Sequence, residues 1–195
     1  PAEETVENEP LSRNSENPSS NLEKTNVESK VLNTPPLPLS SASNTVEKLS
    51  TIETSLYKAI VSSRGGGTIK AFYVLNYLGA DSLPVNLVNE DLSYQNLSIS
   101  IKDLDGNPVD LSGSWLSKNT FSYKSIEREE TLEYSLEIAP GVFIKKALVF
   151  QPDDYSILVK IHSGDIKNAI HRDMLFSWEG GLSSTEKDIK DDRTY

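Results

Sequence analysis

The chain has 195 residues, with 19 basic and 29 acidic side chains and a net charge of -10. That balance, with a pI near 4.7, argues against nucleic acid as a partner and weakly against an anionic membrane surface, since both require a basic face. Cysteine is absent, which excludes disulfides, thiolate nucleophiles and Cys-based zinc sites.

Residues 1 to 49 read as a disordered tether. They hold six of the ten prolines, are rich in Ser, Asn and Glu, and contain no aromatic residue before Tyr57. Such a segment cannot bury enough apolar surface to offset its ordering entropy. Within it, "TPPLPLSS" suits a short polyproline II stretch or a ligand for an SH3-type groove, but a plain linker is the favoured reading over a ligand. No signal-peptide pattern opens the sequence, and no apolar run approaches the roughly 18 to 20 residues that span a bilayer. Because the first residue is Pro1 rather than Met, the chain is expected to be a piece of something longer.

From Leu49 the texture changes to short alternating runs, and residues 50 to 195 read as one folded domain. "TSLYKAIVSS" sets Leu56, Lys58 and Ile60 against Tyr57, Ala59 and Val61. "TIKAFYVLNY" follows, then "PVNLV", where Pro84 suits a strand start. "NLSISIKDL" alternates Leu97, Ile99 and Ile101 with Ser98, Ser100 and Lys102. In "ETLEYSLEI", Leu132, Tyr134, Leu136 and Ile138 share one face while Glu133, Ser135 and Glu137 take the other, the pattern of a sheet with one wet side. "GVFIKKALVF" and "YSILVKIHS" complete a hairpin series through "APG" and "QPDD". No window carries a helical stripe; in "SSTEKDIKDDRTY" Ser183 or Ser184 can cap a short turn. The pattern predicts an all-β, mostly antiparallel sandwich of hairpins.

"SSRGGGTIKAF" places Gly65, Gly66 and Gly67 between two strand-like runs. A phosphate cradle requires a helix after the glycines and a Lys-Ser/Thr pair, and neither is present. The glycines therefore predict a hairpin turn that uses positive φ.

The candidate chemical sites are sparse. His162 and His171 are the only histidines, and a His–Glu acid–base pair would have to recruit Glu179 or Glu186; nine residues apart, the two histidines lack the spacing of a metal pair. "KDLDGNPVD" invites a calcium reading, but counting from Asp103 puts Gly106 at position 4 and Ser114 at position 12, the wrong register. Asp105-Gly106-Asn107-Pro108 reads instead as a β-turn. Asp153 and Asp154 are adjacent, whereas paired glycosidase carboxylates face each other across substrate. Trp115, Trp178 and Tyr123 can line a sugar platform or pack a core. Trp178, beside Met174, Leu175 and Phe176, is expected in the core, and Trp115, in a turn-rich stretch, is expected to be exposed.

Three segments, in order, carry a resemblance. "LYKAIVSSRGGGTIKAFYVLNY…LPVNLV", "FIKKALVFQPDDYSILVKI" and "SWEGGLSSTEKDIKDD" resemble the periplasmic domain of bacterial YidC-type membrane protein insertases, over roughly residues 50 to 195. The family positions they match are Gly65, Gly66, Gly67, Pro84, Pro152, Asp153, Asp154, Tyr155, Trp178, Gly181, Leu182, Thr185 and Glu186, all structural. The resemblance implies a supersandwich of the galactose mutarotase type with no catalytic residue, metal or cofactor. It implies a domain on the periplasmic side of the inner membrane, tethered to membrane segments outside this chain. Insertion itself would be the work of a five-helix membrane core that this chain lacks, and nascent membrane proteins and Sec translocon components would be the partners of the full-length protein. Family members continue past the Trp-Gly-Leu-Thr-Glu segment, so the resemblance also implies a sandwich truncated at its C-terminal end, with an open edge near Trp178. The rival expectation is a soluble carbohydrate-binding module or an aldose epimerase on the same scaffold.

Overall fold

The structure is a computed structural model that describes residues 46–164, 166, 169–171 and 174–183. Residues 1 to 45, on which the expected tether falls, and the end of the chain from Ser184 with Thr185 and Glu186, lie outside the described residues.

Five strands form the first sheet. They are β1 (Leu49–Glu53), β2 (Tyr57–Ser62), β3 (Thr68–Leu78), β4 (Pro84–Asn86) and, returning much later in the chain, β8 (Tyr123–Ser125), in the order β4-β3-β2-β1-β8. Thr54 turns β1 into β2: its hydroxyl oxygen accepts the amides of Leu56 and Tyr57, both at 3.0 Å. Alternation then buries Tyr57, Ala59 and Val61 completely. Pro84 begins the short edge strand β4, where a missing N–H costs least. β1 was not anticipated as a separate strand, and β8 pairs with it in parallel, Thr51 opposite Tyr123. That is the exception to the antiparallel pattern, made possible by the long excursion between the two strands.

The second sheet, in the order β11-β10-β9-β7, contains β7 (Leu116–Ser117), β9 (Glu130–Ala139), β10 (Val142–Phe150) and β11 (Ile157–Ser163). Leu132 and Ile138 of β9 and Ile144, Leu148 and Phe150 of β10 are fully buried against Ile52, Tyr57 and Val61 of the first sheet, forming the core of a β-sandwich. A three-stranded ribbon, β12 (Leu175–Ser177), β5 (Ser98–Lys102) and β6 (Pro108–Val109), completes the fold. A 3₁₀ turn, Glu90–Gln95, leads into it.

Gly65, Gly66 and Gly67 join β2 to β3, with φ of 57°, 72° and 97°. They also leave room for aromatic rings. A Cβ on Gly66 would stand 2.5 Å from the indole of Trp115, and one on Gly67 would stand 2.6 Å from the ring of Tyr134. Trp115 is therefore only 2% exposed, with its indole N–H donating to Leu111 O at 2.9 Å. This corrects the expectation of an exposed Trp115: the turn-rich sequence around it wraps the ring against a slot without side chains. The expectation of a core Trp178 is corrected as well. Trp178 is 40% exposed, and Leu175 and Phe176 are exposed too, because β12 sits at the end of its ribbon and holds β5 through only three residue pairs. Met174 alone of that group packs against the core.

A buried side chain completes the β3 ladder. Asn96 accepts the Ile69 amide at 2.8 Å and donates to the Ile69 carbonyl at 2.7 Å, as a neighbouring strand would. Asn96→Ala is expected to leave both backbone groups without a partner and cost about 2 to 4 kcal/mol, measured as a shifted denaturant midpoint. An unchanged midpoint would show that the pair finds other partners.

Candidate functional site

An apolar groove of about 250 Å³ opens where the two sheets part. One wall comes from β3 through Ile69 and Phe72 and from the following loop through Leu87 and Val88; the other comes from the inward side of β11 through Ile157 and Val159. The lip is Tyr155, Trp178 and Leu182. The inward residues of β11 are only partly buried because this strand ends its sheet.

Each lip residue is held by local chemistry. The turn Pro152-Asp153-Asp154-Tyr155 connects β10 to β11. Asp154 accepts the Ser156 amide at 3.0 Å and the Ser156 hydroxyl at 2.9 Å, and these bonds hold its carboxyl below the usual range. Its carboxylate is thus committed to the turn, which leaves Asp153 and Asp154 as turn residues rather than an acid pair. Beneath the turn, Tyr57 donates its hydroxyl to Gln151 O at 2.9 Å. Its ring stacks on Phe72 at 4.8 Å and lies 6.4 Å from that of Tyr155. Burial, with Asp154 adding to it, pushes the Tyr57 phenol up to about 12.

The Trp178–Leu182 segment folds into a small loop. The Trp178 indole N–H donates to Gly181 O at 3.1 Å, and Gly181 takes a φ of 63°. The loop is strapped to the segment before β5: the Glu179 amide donates to Gln95 O at 3.2 Å, the Ser183 amide donates to Leu87 O at 2.9 Å, and Leu182 bridges Val88. Gly180 lies so close to Leu92 that a Cβ would stand 2.8 Å from its carbonyl oxygen. The matched positions Trp178 and Leu182, with Gly181 shaping their loop, therefore meet Tyr155, distant in sequence, at one groove. Gly65 to Gly67 and Pro84 support the sandwich elsewhere.

The other candidates do not converge. His162 stands exposed on the outward face of β11, opposite Lys145. His171 is exposed near β5, its amide donating to Lys102 O at 3.0 Å. Glu179 accepts the Ser177 hydroxyl beside the groove. Among the described residues, no three His, Cys, Asp or Glu side chains gather as a metal site. In the β5–β6 turn the Asp103 carboxylate accepts the amides of Asp105 and Asn107 and the Asn107 side chain, so it serves the turn. Tyr123, on β8, is separated from β3 by two strands, and Trp115 is sealed in the core, so no three-aromatic platform assembles.

Sequence reasoning passed over one residue. Lys146 is 1% exposed, with its side-chain amine donating to Leu97 O and, at 3.2 Å, to Gly65 O. It ties the glycine turn to Leu97, which itself holds a φ of 50°. Burial pushes the amine down to about 7. The available signal was parity: Lys146 lies between Ile144 and Leu148 on the inward side of β10.

No family model matches the chain. It is similar to curated proteins named membrane protein insertase YidC. One, from Chlorobium luteolum, is 26% identical over 155 residues, covering 77% of this chain and 26% of the relative. Another, from Pelodictyon phaeoclathratiforme, is 26% identical over 156 residues, covering 78% and 26%. A third, from Prosthecochloris aestuarii, is 27% identical over 157 residues, again covering 78% and 26%. The chain spans about a quarter of the length of these relatives.

Proposed function

We propose, from the premise that this chain belongs with the YidC-type insertases, that its β-sandwich is the periplasmic domain of an inner-membrane protein insertase. The domain is a non-catalytic module that binds and positions, while insertion is carried out by membrane segments outside this chain. One observation carries the reading: the three segments that resemble the family in sequence line one open apolar groove, the first through Phe72 and Val88, the second through Tyr155 and the third through Trp178 and Leu182. Such a groove suits an extended apolar segment, from a nascent membrane protein or from a Sec translocon component, because burial of apolar surface needs no catalytic group. Residues 1 to 49 would be the tether to the membrane.

Two measurements on the full-length parent test this. Alkaline phosphatase fused after Ser183 is expected to be active and a green fluorescent protein fused there dark; the reverse pattern would place the domain in the cytoplasm and sink the reading. A photo-crosslinking amino acid in place of Leu182 is expected to capture newly made membrane proteins or Sec components well above the level seen from Leu116, which is exposed on β7 away from the groove. Equal capture from both positions would remove the groove from the function.

A further inference from the structure

The outward face of the second sheet carries a separate feature. Strand register sets two rows side by side: Ser135, Lys145 and His162 in one, Glu133, Ala147 and Lys160 in the next. Short side chains at Ser135 and Ala147 form a floor, and long cationic ones stand around it, enclosing a cavity of about 220 Å³. Lys118, just beyond β7, closes one side.

The charge there opposes that of the chain. Glu133 is the cavity's one carboxylate, and it is already engaged by Lys118 at 2.6 Å, which with Lys145 farther off holds its carboxyl below the usual range. Against a net charge of -10 for the whole chain, the lysines outnumber the carboxylate here. Lys145 and His162 also face each other directly across β10 and β11. An anion seated over that row therefore meets both side chains. Lys145 and Lys160 lie on adjacent rows of neighbouring strands, so both can reach one group held over Ala147.

We propose that this cavity is a binding site for a compact oxyanion of the phosphate class, held by Lys145, Lys160 and His162 with the Ser135 hydroxyl as a further donor. Lysine ammoniums serve phosphate as point charges and need no rigid fork. The phosphate can be a soluble monoester or a phospholipid headgroup. The site is distinct from the apolar groove and goes beyond the insertase reading, which can stand or fall separately.

The test is a titration of the full chain with inorganic phosphate, followed by amide chemical shifts at about 0.15 M salt, where diffuse attraction is screened. Saturable shifts centred on Lys145, Lys160 and His162 are expected. Lys145→Gln with Lys160→Gln should weaken binding at least tenfold, while Lys70→Gln on β3 leaves it unchanged. The exposed lysines can be changed without disturbing the core, and matching thermal midpoints verify this. Co-flotation with phosphatidylglycerol vesicles, competed by inorganic phosphate and lost in the double variant, identifies the headgroup as the source; phosphate binding without flotation identifies a soluble ligand. Either result supports the site. Absence of saturable shifts, shifts unaltered in the double variant, or flotation that phosphate does not compete would overturn it.

Discussion

Gly66→Ala is expected to be among the most damaging single methyl additions the chain can receive. Two costs coincide at this position. The backbone holds φ at 72°, where an L side chain is strained by about 1 to 2 kcal/mol. The new Cβ would also lie within 2.8 Å of three atoms of the Trp115 indole. The ring is pinned by its bond to Leu111 O and its backbone by the bond from the Trp115 amide to Ser63 O, so the indole cannot swing aside without losing the first. Overpacking of this kind costs a further 1 to 3 kcal/mol or so. The sum, about 2 to 5 kcal/mol, is a large share of a domain's typical margin. Gly106→Ala isolates the backbone contribution. Its φ is 89°, but nothing lies within 4 Å of a Cβ there. Denaturant unfolding should place Gly66→Ala well below Gly106→Ala; equal losses would mean that the glycine slot is not what holds Trp115.

Stability should rise with pH from about 7 to about 9.5, and Lys146 should be the cause. The amine has an ordinary value of 10.5 and is pushed to about 7 by burial in the fold. Between those values the unfolded chain holds the proton and the folded chain releases it. The unfolded state therefore binds more protons, and unfolding becomes harder as pH rises. The full contribution is present above the unfolded value and is lost as pH falls through about 7. The slope approaches about 1.4 kcal/mol per pH unit, or roughly 3 kcal/mol over this window. Above pH 10 the sign mixes, because the Tyr57 phenol, raised to about 12, keeps its proton in the fold after the unfolded chain has lost it. Lys146→Met removes the titrating amine while filling the same core position. Its own cost is two carbonyls, on Gly65 and Leu97, left without their donor. Relative to the variant, the native protein should gain roughly 3 kcal/mol between pH 7 and 9.5. Parallel curves would show that Lys146 keeps its proton throughout by drawing on those carbonyls.

Strand parity, turn chemistry and charge were determined by the sequence alone. Alternation in "ETLEYSLEI" put Leu132, Tyr134, Leu136 and Ile138 on the buried face, where the structure holds them. The three glycines announced a turn, and they take positive φ as such a turn requires. These features are local, set by a side-chain period of two and by backbone sterics within a few residues. Tertiary structure decided what depends on distant neighbours. The parallel pairing of β8 on β1, the burial of Trp115 and the exposure of Trp178 follow from which strand ends beside which. The same holds for Asn96 standing in as a strand, Lys146 lying in the core, and the meeting of Tyr155, Trp178 and Leu182 at one groove. A single chain read residue by residue carries the period of each strand but not its partners. Burial and a shared cavity are properties of two surfaces pressed together, so they came into view only when the sheets were stacked.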